Sequence, residues 1–219
     1  GFKNITISNI NFVRSRGLAI EMVDGGTIED VSVTNLTMRD VTTSPIFIRL
    51  GARQRAPEGT PIGAIRRVNI SNVVASDVHP EFASIIAGVS GHDIEDVNLS
   101  NITIRYKGGG TKADAAREVP ANEKSYPGPS MFGVIPAYGF YIRHARGVVF
   151  DNIDVSCDKT DERPAFVLDD VKDVSFYRTR ARLVPEAKMF VLRNVANFRS
   201  LQSPNIGDIV LDRADNRSY

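Results

Sequence analysis

The tripeptides Phe47-Ile48-Arg49 and Tyr141-Ile142-Arg143 each set an aromatic residue two places before an arginine. In an extended chain both end residues of such a triplet leave on the same side. There the ring can stack on the flat face of a ligand, and the guanidinium can fork onto a carboxylate. A third triplet, Ala19-Ile20-Glu21, places an anion where the other two place a cation. Other chemistries find less support. His79, His92 and His144 have no i, i+2 or i, i+4 partner of metal-binding type, so no metal site is expected. Asp24, Asp93 and Asp158 read as turn formers. Gly108-Gly109-Gly110 is not followed by the lysine and hydroxyl residue of a phosphate cradle. Among 26 acidic residues, no segment holds carboxylates close enough to drive their pKa values apart. Hence no catalytic residue and no cofactor is expected.

The elements that must position these side chains are written as a repeat. Ile5-Thr6-Ile7-Ser8-Asn9-Ile10 returns as Val31-Ser32-Val33-Thr34-Asn35-Leu36, as Val68-Asn69-Ile70-Ser71-Asn72-Val73 and as Val97-Asn98-Leu99-Ser100-Asn101-Ile102. Looser copies are Val148-Val149-Phe150-Asp151-Asn152-Ile153 and Val174-Ser175-Phe176-Tyr177-Arg178-Thr179. Strict alternation makes each copy a strand with one buried face, and the asparagine marks a turn. Spacing between asparagines runs from 26 residues (Asn9 to Asn35) to 51 (Asn101 to Asn152), so the element is constant and the excursions vary. Stacked coils lie about 4.8 Å apart, which would set these asparagines in one hydrogen-bonded column. A second apolar strand follows each phrase, at 18–22, 46–50, 84–88, 140–144, 166–170 and 190–194.

This pattern predicts an all-β fold, a right-handed parallel β-helix (solenoid) forming one domain over residues 1–219. Two long loop insertions break the period, at 51–63 and 107–137, and an irregular C-terminal coil is expected after 195. The second insertion offers one short helix over 112–118 before Pro120, Pro127, Pro129 and Pro136 stiffen the return. In register, the second strands stack Ala19, Phe47, Ile85, Tyr141, Val167 and Val191 in one outward column. Glu21, Arg49, Ala87, Arg143, Asp169 and Arg193 form the next. Either the loops cover these columns and the charges form a stabilising ladder, or the columns line an open binding cleft.

A chain of 219 residues with 42% apolar content can bury a sizeable core. A net charge of +1 gives no argument for nucleic acid, and no run reaches the ~18 apolar residues of a membrane helix. The single Cys157 precludes an internal disulfide. Gly1 is not a start methionine, and a preceding segment is expected. The first strand would then expose unpaired backbone, so an end-to-end homodimer through the N-terminal coil, or a partner domain there, is expected.

The repeated phrases, with Arg16-Gly17-Leu18-Ala19-Ile20-Glu21, Val23-Asp24-Gly25-Gly26, Pro45-Ile46-Phe47-Ile48-Arg49-Leu50-Gly51 and Tyr138-Gly139-Phe140-Tyr141-Ile142-Arg143-His144, resemble glycoside hydrolase family 28, the polygalacturonase-like enzymes. The resemblance covers nearly the whole chain and weakens after about 195. It implies a β-helix with a cleft along one sheet, inverting hydrolysis of galacturonic-acid linkages, and a secreted or periplasmic location. The family's catalytic aspartate segments and Gly-His-Gly turn have no counterpart here. Its Arg-Ile-Lys triplet, which grips the substrate carboxylate, aligns with Ala19-Ile20-Glu21. The chain therefore resembles the C-terminal portion of such an enzyme, without the acid pair. The expected partner is a polysaccharide, pectic or another plant cell-wall glycan such as xylan, and the expected substrate-binding residues are Phe47, Arg49, Tyr141, Arg143 and Glu21. A non-catalytic carbohydrate-binding module is the alternative, and a purely structural domain a third reading.

Overall fold

The computed structural model describes residues 1–204 and 206–219. Its strands are β1 (Phe2–Ser15), β2 (Leu18–Met22), β3 (Thr27–Val41), β4 (Ile46–Leu50), β5 (Ala64–Val78), β6 (Ser84–Ala87), β7 (Ile94–Tyr106), β8 (Phe140–Cys157), β9 (Phe166–Tyr177), β10 (Arg180–Ala181), β11 (Phe190–Leu201) and β12 (Ile209–Ser218). One α-helical turn, α1 (Lys112–Ala115), and a 3-10 turn, Pro129–Phe132, lie in the long insertion. The strands join in the order β1-β3-β5-β7-β8-β6-β4-β2, with β9, β11 and β12 continuing from β8. All pairs except β11 with β12 are parallel. The architecture is a stacked parallel β-solenoid.

The long strands are bent at regular intervals, and the bends explain the repeated phrase. In β3, Asp30, Asn35 and Asp40 all have positive φ, at 59°, 58° and 58°. Each such residue uses one position without advancing the alternation, so inward residues fall at Ile28, Val31, Val33, Leu36, Met38 and Val41. A left-handed conformation costs most residues roughly 1–2 kcal/mol and asparagine or aspartate less, which is why these types recur. Strand register stacks the bends into columns, one of which is Asn9, Asn35, Asn72, Asn101 and Asn152. Their amides form a continuous ladder, each Nδ2 donating to the Oδ1 of the coil before it at 3.0, 3.1, 3.2 and 2.9 Å. In the neighbouring column Gly147, at a φ of 68°, makes the left-handed bend that Asp96 and Asp173 make on the coils to either side.

The interior is a stack of like residues. Early coils fill it with Ile, Leu and Val. Later ones use phenylalanine, with Phe150 on Phe176 at 4.4 Å and Phe140 on Phe166 at 5.8 Å between ring centroids. Offset or tilted aromatic pairs add about 0.5–1.5 kcal/mol each beyond the area they bury.

Three details differ from the sequence expectation. The second strands at 140–144, 166–170 and 190–194 are not separate elements; they run on into β8, β9 and β11, with only the left-handed His144, Asp170 and Asn194 marking the corner. The helix expected over 112–118 shortens to α1, held by a capping box between Thr111 and Asp114 and followed by residues too few to bury a face. Where an irregular coil is expected after 195, β11 continues to Leu201 and β12 returns antiparallel beside it.

Candidate functional site

The two outward columns have the register that the sequence predicts. Ala19, Phe47, Ile85, Tyr141, Val167 and Val191 are successive partners across β2, β4, β6, β8, β9 and β11, and so are Glu21, Arg49, Ala87, Arg143, Asp169 and Arg193. The insertion at 107–137 lies across them as a strap. Phe47 and Tyr141 are each 1% exposed, packed with Ile85, Val119, Phe132 and Ile135 in a second core outside the coil. Phe132 meets Phe47 edge-on at 6.4 Å. The open aromatic platform expected at Phe47 and Tyr141 is therefore roofed. Burial beneath apolar strap residues releases more free energy than leaving two rings in water.

The arginines follow the rings. Arg49 is 2% exposed and donates to the carbonyls of Gly88 at 2.9 Å and Ala121 at 3.2 Å, with the Phe132 ring 5.2 Å from its guanidinium carbon. Arg143 donates to Val119 O at 3.0 Å and lies 3.5 Å from Asp169. Arg49 and the Nη1 of Arg143 satisfy main-chain acceptors beside and within the strap, whereas the buried Nε of Arg143 faces Asp169 at 3.5 Å with no hydrogen-bond partner among the described residues. Desolvation lowers the Arg49 pKa to about 10, still far above neutrality. At the strap's other end Arg163, 1% exposed, pairs with Asp161 at 2.6 Å and donates to Pro80 O and Ile135 O at 2.7 and 3.1 Å. Asp169 also accepts from the Tyr141 hydroxyl at 3.3 Å.

What the strap leaves open is its edge over the first coil. A pocket of about 130 Å³ is lined by Arg16, Ala19, Glu21, Phe47, Tyr126, Pro127 and Pro129. Tyr126 is 72% exposed, and the Arg53 guanidinium carbon lies 5.5 Å from its ring centroid. Arg53 in turn forks onto Asp24, whose carboxyl is held down at about 2 by that contact. Glu21 is half-buried in the pocket floor. Its pKa is raised because burial disfavours the carboxylate more than the fields of Arg16 and Arg53 restore it. Of the five expected binding residues only Glu21 and the edge of Phe47 line this opening; Arg49, Tyr141 and Arg143 do not. Arg16, Tyr126, Pro127 and Pro129 were not singled out as binding residues by sequence reasoning. The available signal was the exposed aromatic set directly before a proline in a stiffened return.

Elsewhere, Cys157 is buried and its thiol is pushed up to about 12, so it is no nucleophile at neutral pH. Among the described residues no group of three or more His, Cys, Asp or Glu is placed to hold a metal ion. Among the described residues no helix is long and apolar enough to cross a membrane. No protein-family model, no curated protein and no solved structure matches the chain, and its stacked parallel coils place it as a generic parallel β-solenoid.

Proposed function

We propose that this chain is a polysaccharide-binding, right-handed parallel β-helix of the glycoside hydrolase family 28 type, which holds a plant cell-wall glycan without cleaving it. The observation that carries this reading is the pocket at the strap edge. It combines an exposed aromatic ring, two prolines and an oppositely charged pair, the side chains that stack on and hydrogen-bond to a sugar. The ordered phrases shared with the family support the choice of ligand class. Inverting hydrolysis needs two carboxyls about 6.5–9.5 Å apart, one of them with a raised pKa. Glu21 is the sole acidic residue lining the pocket, and Asp24, Glu29, Asp30 and Asp114 are shifted the other way.

Affinity electrophoresis in gels containing pectic polymers, galactan or xylan tests this. The protein should be retarded in at least one gel, and Tyr126→Ala should run as in a blank gel. Retardation that Tyr126→Ala leaves unchanged would move the site elsewhere. A second reading concerns assembly. Phe2 is 61% exposed beside an apolar hollow of about 300 Å³ lined by Ile5, Ile7, Ile20 and Ile28, and two chains stacked end to end would cover it. Sedimentation velocity showing a strict monomer at high concentration would eliminate that reading.

A further inference from the structure

We infer that two copies of this chain pair their first coils about a two-fold axis, with β1 running antiparallel to the partner's β1 in one fixed register. This rests on the end-to-end assembly reading above and adds its symmetry and its residue pairs. β1 and β2 are the two ends of the strand path, so each has one edge without a neighbour. Unpaired edges beside an open apolar interior are a template for another strand. The opposite end of the stack is closed. There β12 lies antiparallel on β11, Ala214 is 1% exposed, and Ile209, Leu211 and Tyr219 pack against the core. Asp212, Arg213, Asp215 and Arg217 stand exposed along the same strand and blunt its edge with charge. With one open end per molecule, the surface that matches a first coil is the first coil of a second copy, which makes the contact isologous.

The pattern of β1 is self-complementary. By register with the buried residues of β3, its inward residues are Phe2, Ile5, Ile7, Ile10, Phe12 and Ser15. Setting Phe2 against the partner's Ser15, Ile5 against Phe12 and Ile7 against Ile10 keeps every inward residue opposite an inward one, as a sheet shared by two chains requires. Outward Thr6 then faces the partner's Asn11. In this register the bends at Asn4, Asn9 and Arg14 fall opposite unbent residues, an arrangement the chain already uses at its other end. Asn194 and Asn197, at φ of 49° and 52°, lie opposite Asp215 and Asp212 of β12 with the pairing unbroken on either side. Lys3 would meet the partner's Arg14, but each has its counter-ion on β3, Glu29 and Asp40 respectively. The pairing also covers the apolar hollow of about 300 Å³ beside Phe2.

Cysteine cross-linking tests the register. Thr6→Cys and Asn11→Cys stand at exposed outward positions, and Cys157 is buried and does not compete. Mixed and left in air, the two variants should form a disulfide-linked heterodimer, since directly opposed residues meet the Cα separation of about 4.4–6.8 Å that a disulfide needs. Either variant alone should give less than a tenth of that yield, because identical positions lie about five residues apart along the pair, roughly 16 Å. Ile10→Lys sets a charge against the partner's Ile7 and should sediment as a monomer with the circular dichroism of the wild type. A wild-type dimer without the mixed cross-link, an Ile10→Lys dimer, or oligomers that grow beyond two chains would overturn this symmetry while leaving end-to-end assembly intact. A strict wild-type monomer at high concentration would overturn both.

Discussion

Replacing Phe47 by alanine separates a ligand platform from a structural core. The ring is 1% exposed, edge-on to Phe132 at 6.4 Å, and part of the cluster that fastens the 107–137 strap to the sheet. Truncating a buried phenylalanine costs about 3–5 kcal/mol, the spread reflecting how far the surroundings close on the cavity. One wall here is the strap rather than the coil, and it can settle inward, so the lower end, about 3 kcal/mol, is expected. For a chain of this length each kcal/mol lowers the melting temperature by roughly 2–4 °C, which gives a fall of about 6–12 °C. The strap is held to the sheet by this cluster and a few hydrogen bonds, so it should loosen before the coils do. Calorimetry and limited proteolysis should therefore show a lower transition with earlier cleavage inside 107–137. A variant within about 1 kcal/mol of the wild type, with a protected strap but no glycan retention, would refute the reasoning and return Phe47 to the ligand.

Asn72 links two rungs of the amide ladder at a φ of 56°. Asn72→Ala should cost about 2–3 kcal/mol in urea unfolding, and Asn72→Gly roughly 1 kcal/mol less, because glycine removes the same hydrogen bonds without the backbone strain. Equal losses would mean that the left-handed bend is not a constraint. Glu29, 4% exposed, is held at about 2 by Lys3, Arg66 and Arg67. Its folded pKa lies below the unfolded value near 4.5, so its stabilisation is present above that pH and is lost as pH falls towards about 2. Glu29→Gln should destabilise the chain at pH 7 and match the wild type near pH 2; a constant difference across that range would contradict the pairing. Cys157 should react with iodoacetamide at pH 8 at under a tenth of the rate of a free thiol until the chain is unfolded, as followed by mass spectrometry.

The alternation in Val31-Ser32-Val33 and its copies, with an asparagine closing each one, was enough to determine parallel stacking, the amide ladder and the outward columns. These follow from local rules: side chains alternate, apolar faces must be buried, and a stack sets equivalent residues one above another. The same rules put Phe47, Arg49, Tyr141 and Arg143 on the outside of the coil but could not say what lies over them. That was decided by Val119, Ala121, Phe132 and Ile135, from a segment without alternation or period, whose position depends on tertiary contacts. Tyr126 became the exposed aromatic for the same reason, since the strap's path sets which of its residues face the sheet and which face water. A repeat writes its own contacts into its sequence, because each coil packs against a near copy of itself. A single insertion packs against residues unlike it and distant along the chain, and only the folded structure brings them together.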